Sequence, residues 1–390
     1  MMKTFTQDTL VELEDKDLKR TLRTLEGSQS SKIIIDGKKV LNFCSNNYLG
    51  LADDDRLSEA AIHAIKKDGL GSGASRLVCG NMSAHEELEK TIARFKGTES
   101  ALVFNTGYMA NIGIISSLFG RKDIIFSDRF NHASIIDGIL LSQAKFKRYA
   151  HGDMDDLEEM LKAETNFKKR VIITDSVFSM DGDIALLDKI VALAKKYHCL
   201  VMIDEAHAFG VMGKKGKGLA EHFGLEKDID IQMGTLSKAA GSFGAYCCGS
   251  KDLIDFLINK SRSFIYTTAL PPSIAAASQK AIEIIENEPR LREQLWRNTD
   301  YLKQGLNKIG FDTLNSQTPI IPILVKGPKI ALEFSKCLFD AGIFISAIRP
   351  PTVPQNTARL RLTIMATHTQ DNLDYTLEQL GKIGKKLCLI

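Results

Sequence analysis

The sequence predicts an α/β protein. It has a large domain built on a mostly parallel sheet covered by helices on both faces, and a smaller C-terminal α+β domain. Three observations carry this. Seven short strand candidates, most of them nearly continuous in apolar residues, lie at 101–104, 124–127, 146–149, 171–174, 200–203, 229–233 and 245–248. Longer amphipathic stretches, such as 157–164 and 186–198, separate most of them. After Leu270-Pro271-Pro272 this alternation stops, and helices and strands mix without it. A strand apolar at every position is buried on both faces, which is how parallel sheets under helices read.

The elements follow in order. Residues 7–25 predict a helix, because Leu10, Leu13, Leu18, Leu22 and Leu25 recur near helical spacing among charges. Residues 33–35 and 40–43 flank Asp36-Gly37 and predict a small hairpin. The seven runs then build the large domain. Beyond residue 272, helices are expected at 274–287, 291–309, 330–341 and 373–386, and strands at 320–325, 343–347 and 359–364. The chain therefore divides into an N-terminal helix and hairpin (1–45), a large domain (46–272) and a small C-terminal domain (273–390).

Composition narrows the function. The 390 residues are 44% hydrophobic and 25% charged, close to the soluble globular average, and the net charge is only +3. So even a balance gives no basic stripe for nucleic acid and no patch for a membrane surface. The seven cysteines are scattered and form no C-x-x-C pair, as expected of reduced thiols. Residues 1–17 are rich in acids and hold no apolar core, so no signal peptide is expected and the location should be cytoplasmic.

Two motifs mislead. Val201-Met202-Ile203-Asp204-Glu205-Ala206-His207 looks like a nucleotide-hydrolysis strand, but no G-x-x-x-x-G-K-[ST] loop accompanies it. Gly71-Ser72-Gly73 hints at a dinucleotide loop, yet it follows a helix and the sixth position is Arg76. No histidine or cysteine spacing suits zinc, so no metal is expected. The basic loop Gly213-Lys214-Lys215-Gly216-Lys217-Gly218 reads as solvated, with contact to coenzyme A phosphates or an acidic carrier protein as the alternative.

One constellation carries chemistry. Asp204 ends an apolar strand, His207 follows three residues later, and Lys238 lies 34 residues beyond Asp204 in Thr235-Leu236-Ser237-Lys238. Ligands of a parallel sheet sit outside the carboxyl ends of its strands. An amine, a carboxylate and an imidazole gathered there suit pyridoxal 5′-phosphate. The amine forms a Schiff base, and the carboxylate keeps the pyridine nitrogen protonated. Asn105-Thr106-Gly107-Tyr108 runs from strand into helix, a junction with free N–H groups for a phosphate. His132 follows the 124–127 strand and offers a ring to stack; Ser179 follows 171–174 and offers a hydroxyl. Each residue alone has an ordinary reading: a solvated lysine, a capping aspartate, a hydrogen-bonded core histidine. Their shared position at strand ends favours a cofactor site.

These motifs, with Ser45-Asn46-Asn47-Tyr48-Leu49-Gly50, Asn131-His132-Ala133-Ser134 and Phe178-Ser179-Met180-Asp181-Gly182, make the sequence similar to the α-oxoamine synthases from about residue 18 to 370. That family comprises fold-type-I pyridoxal-phosphate-dependent transferases, typically homodimers. The resemblance implies that Lys238 binds the cofactor and later moves the substrate's α-proton. It implies that Asp204 pairs with the ring nitrogen, His207 contacts the ring hydroxyl, and His132 stacks on the ring. Gly107, Tyr108, Ser179 and Thr235 would surround cofactor and phosphate, with Thr267 reaching in from the partner subunit. Arg361 would bind the amino-acid carboxylate with Asn46 nearby; Arg20 and Thr352 would line the acyl-donor side. From the residues alone, Pro350-Pro351 stiffens a loop that could aim Thr352, and Arg361 on its strand suits either a substrate carboxylate or a surface ion pair.

Within the family, Ala347-Ile348-Arg349-Pro350-Pro351-Thr352 and Ala358-Arg359-Leu360-Arg361-Leu362-Thr363 most resemble the biotin-pathway member. That implies decarboxylative condensation of L-alanine with a pimeloyl thioester, on coenzyme A or an acyl carrier protein. Glu205 and Ser176 also suit relatives that use glycine or serine, such as a glycine C-acetyltransferase, and Tyr108 stands where close relatives have Phe. A non-catalytic partner subunit would lack the lysine, which is present as Lys238.

Overall fold

The computed structural model describes residues 2–390, with side chains from residue 6 onward. The chain forms two compact units: residues 49–179 and 183–293, and residues up to 48 with 180–182 and 294–390. The sequence expected three segments divided at 45 and 272. The N-terminal hairpin instead joins the C-terminal residues, because Ile343–Phe344 pairs in parallel with Lys38–Asn42. Helix Pro272–Asn287 stays with the large unit, packing on helices Asp55–Asp68 and Ser83–Lys96.

The large unit holds a seven-stranded sheet ordered Ser100–Phe104, Ala245–Gly249, Ile231–Thr235, Leu200–Asp204, Arg170–Asp175, Ile124–Asp128, Lys145–Tyr149. Only Ala245–Gly249 runs against its neighbours; the other pairings are parallel. The strands Ile124–Asp128, Ile231–Thr235 and Ala245–Gly249 are buried at every position, the polar Gln232 and Thr235 included. The edge strand Lys145–Tyr149 keeps Lys145 and Arg148 exposed, charges that discourage further pairing. Beneath one face lie Ile114, Ile125, Ile173, Met202 and Met233 in a continuous apolar layer. Each such side chain contributes about 1.5–3 kcal/mol when fully buried. The carboxyl ends of the six parallel strands therefore share one edge.

The smaller unit has two sheets. Leu25–Glu26, Lys32–Ile35, Lys38–Asn42 and Ile343–Phe344 form one; Ile320–Lys326, Ala358–Thr363 and Ser346–Ile348 form the other. The hairpin turn falls at Asp36-Gly37, both with positive φ (52° and 74°), the twist-matching turn that this dipeptide favours. The expected strand 343–347 is split, because its halves pair with different sheets. The expected helix 7–25 is found at Met2–Asp15 and ends as Asp17 takes φ 54°. Leu22 is fully exposed, and Leu25 has left for the strand Leu25–Glu26, where it packs against Ile33, Ile35 and Val40, so the distal leucines share no one face that would sustain the helix. Among the described residues, no helix is long and apolar enough to cross a membrane.

Candidate active site

Three neighbouring parallel strands end in aspartate: Asp128, Asp175 and Asp204. Asp175 and Asp204 are paired in register, so their side chains leave the same face of the sheet. Both are buried. Burial, then the charge of Asp204, pushes the Asp175 carboxyl well above the usual carboxylate range. Asp175 accepts the backbone N–H of His132 at 2.7 Å and gives its own N–H to Asn131 Oδ1 at 2.8 Å. Asn131 in turn donates to Ser127 Oγ and to the Ile173 carbonyl. The turn that carries His132 is thereby fixed to the strand ends.

Asp204 accepts at both oxygens, from the Ala206 N–H (2.9 Å) and from Asn111 Nδ2 (2.8 Å). Asn111 Nδ2 also donates to Ser134 Oγ at 2.9 Å, which leaves the Ser134 hydroxyl proton for His132 Nδ1 at 2.8 Å. The Ser134 N–H donates to the same nitrogen. His132 therefore carries its proton on Nε2. The residue is exposed overall, yet the protein around the ring withdraws it from bulk water. This desolvation lowers its pKa; the Asp204 carboxylate opposes the shift and the Lys238 cation adds to it. A neutral imidazole, Asp204 and Lys238 thus lie within electrostatic reach of one another.

Lys238 is half-buried in a turn closed by hydrogen bonds from Leu236 N–H to the Gly244 carbonyl (2.9 Å), from Ser242 N–H to the Leu236 carbonyl (3.0 Å) and from Gly241 N–H to the Lys238 carbonyl (2.9 Å). Thr235 Oγ1 binds the Gly244 carbonyl and pairs with Ser237 Oγ. Gly241 is required there: its φ is 63°, and a Cβ would lie 2.2 Å from the Ala52 nitrogen. His207 is half-buried in the turn after Asp204, and Ser179 half-buried in the loop after Asp175. Glu205, adjacent to Asp204, instead accepts the N–H groups of Leu219 and Ala220.

Thr106 caps helix Gly107–Leu118, its hydroxyl accepting from the Met109 N–H at 3.1 Å. This helix presents Gly107 and Tyr108 at its first turn and carries Asn111 one turn later. A Cβ on Gly107 would sit 3.1 Å from Met233 Cε, so a larger residue would crowd the junction. Tyr108 is exposed and its hydroxyl donates to Asp137. Thr267 lies beside Asn105, whose amide reaches Thr267 Oγ1 (3.4 Å) and the Thr268 carbonyl (2.8 Å).

The remaining expected site residues belong to the smaller unit. Arg361 is buried and donates to Thr363 Oγ1 (2.8 Å) and Asn46 Oδ1 (3.2 Å). It also bonds Tyr48, whose phenol is pushed up to about 12 by burial despite the guanidinium. Arg20 donates to Thr352 Oγ1 at 3.0 Å, both side chains being exposed. The neighbouring Arg359 is spoken for: it pairs with Asp181 at 2.5 Å.

The donor set fits pyridoxal phosphate. It offers an amine for the aldehyde, a buried carboxylate for the ring nitrogen, a neutral flat imidazole, and a capped helix N-terminus for the phosphate. Sequence reasoning gave no role to Asn111, Ser134 or Asp175. For Asp175 a signal existed: apolar runs ending in Asp recur at 128, 175 and 204.

A family model described as "Aminotransferase class I and II" matches residues 38–380. The chain belongs to the class I and II aminotransferase family. Within that family it falls among the α-oxoamine synthases. It is 51% identical over 389 residues to an 8-amino-7-oxononanoate synthase of Geotalea daltonii, covering 99% of each chain. To the enzyme of the same name from Geobacter sulfurreducens it is 49% identical over 383 residues, 98% of each. Among solved structures, a serine palmitoyltransferase from S. paucimobilis with a bound PLP–myriocin aldimine matches this aminotransferase-family chain with a TM-score of 0.94 at 32% identity. That match covers 99% of this chain and 98% of the other. An 8-amino-7-oxononanoate synthase from Francisella tularensis matches with a TM-score of 0.78 at 32% identity, covering 89% and 98%. The fold is that of fold-type-I pyridoxal-phosphate transferases.

Proposed function

We propose that this chain condenses L-alanine with a pimeloyl thioester, releasing carbon dioxide and free thiol, to form 8-amino-7-oxononanoate for biotin synthesis. The observation that carries the reading is the convergence of Lys238, Asp204 and a neutral His132 at one sheet edge, in a chain about half identical over its whole length to enzymes of that name.

Bound at this edge, pyridoxal phosphate supplies an electron sink for a carbanion at the amino acid's α-carbon. Asp204, anchored by Asn111 and Ala206, would hold the proton of the ring nitrogen. His132 presents a flat neutral ring for stacking and keeps Nε2–H as a donor toward substrate. Lys238 Nζ would hold the cofactor aldehyde and, when free, would carry the α-proton. His207 would hold the ring hydroxyl, and Gly107, Tyr108, Ser179 and Thr235 would hold ring and phosphate. Arg361 forks onto the alanine carboxylate, steadied by Asn46 and Thr363. Arg20 and Thr352 line the acyl-donor side.

A homodimer is part of this reading. Leu70, Leu77, Val78 and Tyr266 are each more than half exposed, and their two segments are tied by the Ala269 N–H to Ala74 carbonyl bond. An apolar edge of this kind suits burial against a second copy, and Thr267 beside it would serve the partner's phosphate. Sedimentation tests the dimer.

The deciding assay offers the pyridoxal-phosphate-loaded protein alanine, glycine and serine, each with pimeloyl and acetyl thioesters of coenzyme A and of a carrier protein, and follows thiol release. Preference for alanine with a pimeloyl donor is expected. Preference for glycine with acetyl-coenzyme A would replace this reading with glycine C-acetyltransferase. No release with any pair would favour a non-catalytic subunit.

A further inference from the structure

His151 lies in the turn after the edge strand Lys145–Tyr149, outside the groups assigned above. Its Nδ1 is 2.9 Å from Asp128 Oδ1 and its Nε2 is 2.8 Å from Asp183 Oδ2. Carboxylates only accept, and a neutral imidazole has a single N–H. Two such contacts on one ring require both nitrogens to donate, so the ring is an imidazolium. Burial opposes this charge, but the bonds to Asp128 and Asp183 outweigh it and carry the pKa up to about 10.

The partners are informative. Asp128 ends its strand and also accepts the Phe130 N–H (2.8 Å) and the Gly152 N–H (3.2 Å). Two residues after Phe130 comes His132. Asp183 closes the other loop, its carbonyl accepting the Phe178 N–H at 3.0 Å, and Ser179 is next in the chain. The rings repeat the pattern. Phe130 stacks on His151 at 4.4 Å with an interplanar angle of 22°, and Phe178 meets it edge-on at 4.4 Å and 83°. An aromatic face over a cation is attractive in its own right. One cation thus holds a carboxylate and an aromatic ring from each of two turns.

We propose that His151 is a positioning residue, a cationic staple that joins the turn bearing His132 to the loop bearing Ser179 and so sets the seat of the cofactor. The inference rests on the cofactor reading above. It predicts that the staple acts on cofactor binding while lying outside hydrogen-bonding roles toward the substrate.

The test has two arms. In the apoprotein, nitrogen-edited NMR at pH 8 should show two N–H protons on the His151 ring; a single one overturns the staple, whether or not the protein binds pyridoxal phosphate. In the holoprotein, His151→Gln should weaken pyridoxal phosphate binding about tenfold or more and diminish the visible circular dichroism of the bound cofactor, as loose positioning does. His151→Arg, a planar cation able to donate to both carboxylates, should recover most of the affinity. Asp183→Asn keeps the shape and half the staple, and should lose less affinity than His151→Gln while bringing the ring's titration down toward neutrality. Wild-type affinity and spectrum in both His151→Gln and Asp183→Asn would overturn the proposal, as would an arginine variant no better than the glutamine one. Failure of the wild-type protein itself to bind pyridoxal phosphate would sink the cofactor reading instead, leaving the NMR arm to judge the staple.

Discussion

Asn111 Nδ2 donates to Asp204 Oδ2 at 2.8 Å and, from the same amide, to Ser134 Oγ at 2.9 Å. One buried side chain thereby couples the carboxylate assigned to the ring nitrogen with the hydroxyl that orients His132. Hydrogen bonds to a charged group are worth about 1.5–3 kcal/mol. Asn111→Ala should therefore weaken pyridoxal phosphate binding by roughly one to two orders of magnitude. Titration of the apoprotein with cofactor, read by absorbance, checks this; unchanged affinity would remove Asn111 from the site.

Gly241 sets the turn that aims Lys238. With φ at 63° and backbone 2.2 Å from where a Cβ would sit, Gly241→Ala faces both left-handed strain and a clash with residues 51 and 52. The strain alone costs about 1–2 kcal/mol. The variant should melt at lower temperature and form less of the lysine-bound cofactor. Normal melting and full cofactor loading would show that the turn tolerates displacement.

Arg361 is assigned to the substrate and away from the cofactor. Arg361→Ala should raise the KM for alanine by an amount equivalent to about 2–5 kcal/mol, the range for losing one partner of a buried charge pair. Cofactor affinity should stay near wild type. Arg361→Lys should recover only part, since an ammonium cannot fork. An unaltered KM in Arg361→Ala would move carboxylate binding to another residue.

His368 makes a pH prediction for the smaller unit. It is buried, stacked on Phe43 at 4.1 Å, accepts the Met365 N–H at Nδ1 and donates from Nε2 to the Asn42 carbonyl. Burial lowers its pKa to about 4, against the opposing pull of the Asn42 bond. In the unfolded chain it titrates near 6.5. Between those values the unfolded state binds the extra proton, so stability is complete above about 6.5 and falls as pH drops toward 4, by about 3 kcal/mol in total. Urea unfolding at pH 7 and pH 4.5 should show this loss, and His368→Gln should flatten it. An equal slope in the variant would assign the acid sensitivity to other groups, such as His85 or His132, whose pKa values are also lowered by burial.

Most of the seven strands were legible because a strand under helices on both faces must be largely apolar, and 124–127 or 171–174 can hardly be read otherwise. Asp204 was legible for a related reason: a charged residue closing such a run has only the strand end to occupy, and Lys238 lies in the turn just past the next strand, Ile231–Thr235. The rest depended on long-range pairing. Asn111 looks like any polar residue in a helix until its amide meets an aspartate 93 residues away. His151 is silent in sequence because its two carboxylates lie 23 and 32 residues distant. The helix expected over 7–25 ends early for the opposite reason: leucine spacing records a face, and Leu22 finds nothing to cover it. Asp175 had no role in the sequence reading, yet its register with Asp204 makes it part of the charge system.

The central claim is that Lys238 is the amine that meets pyridoxal phosphate beside Asp204 and His132. Borohydride reduction of the cofactor-loaded protein, followed by proteolysis and mass mapping, tests it most directly. The account predicts a pyridoxyl-phosphate mass on the peptide containing Lys238 and on no other lysine. A label on a different lysine, or none despite bound cofactor, would contradict it.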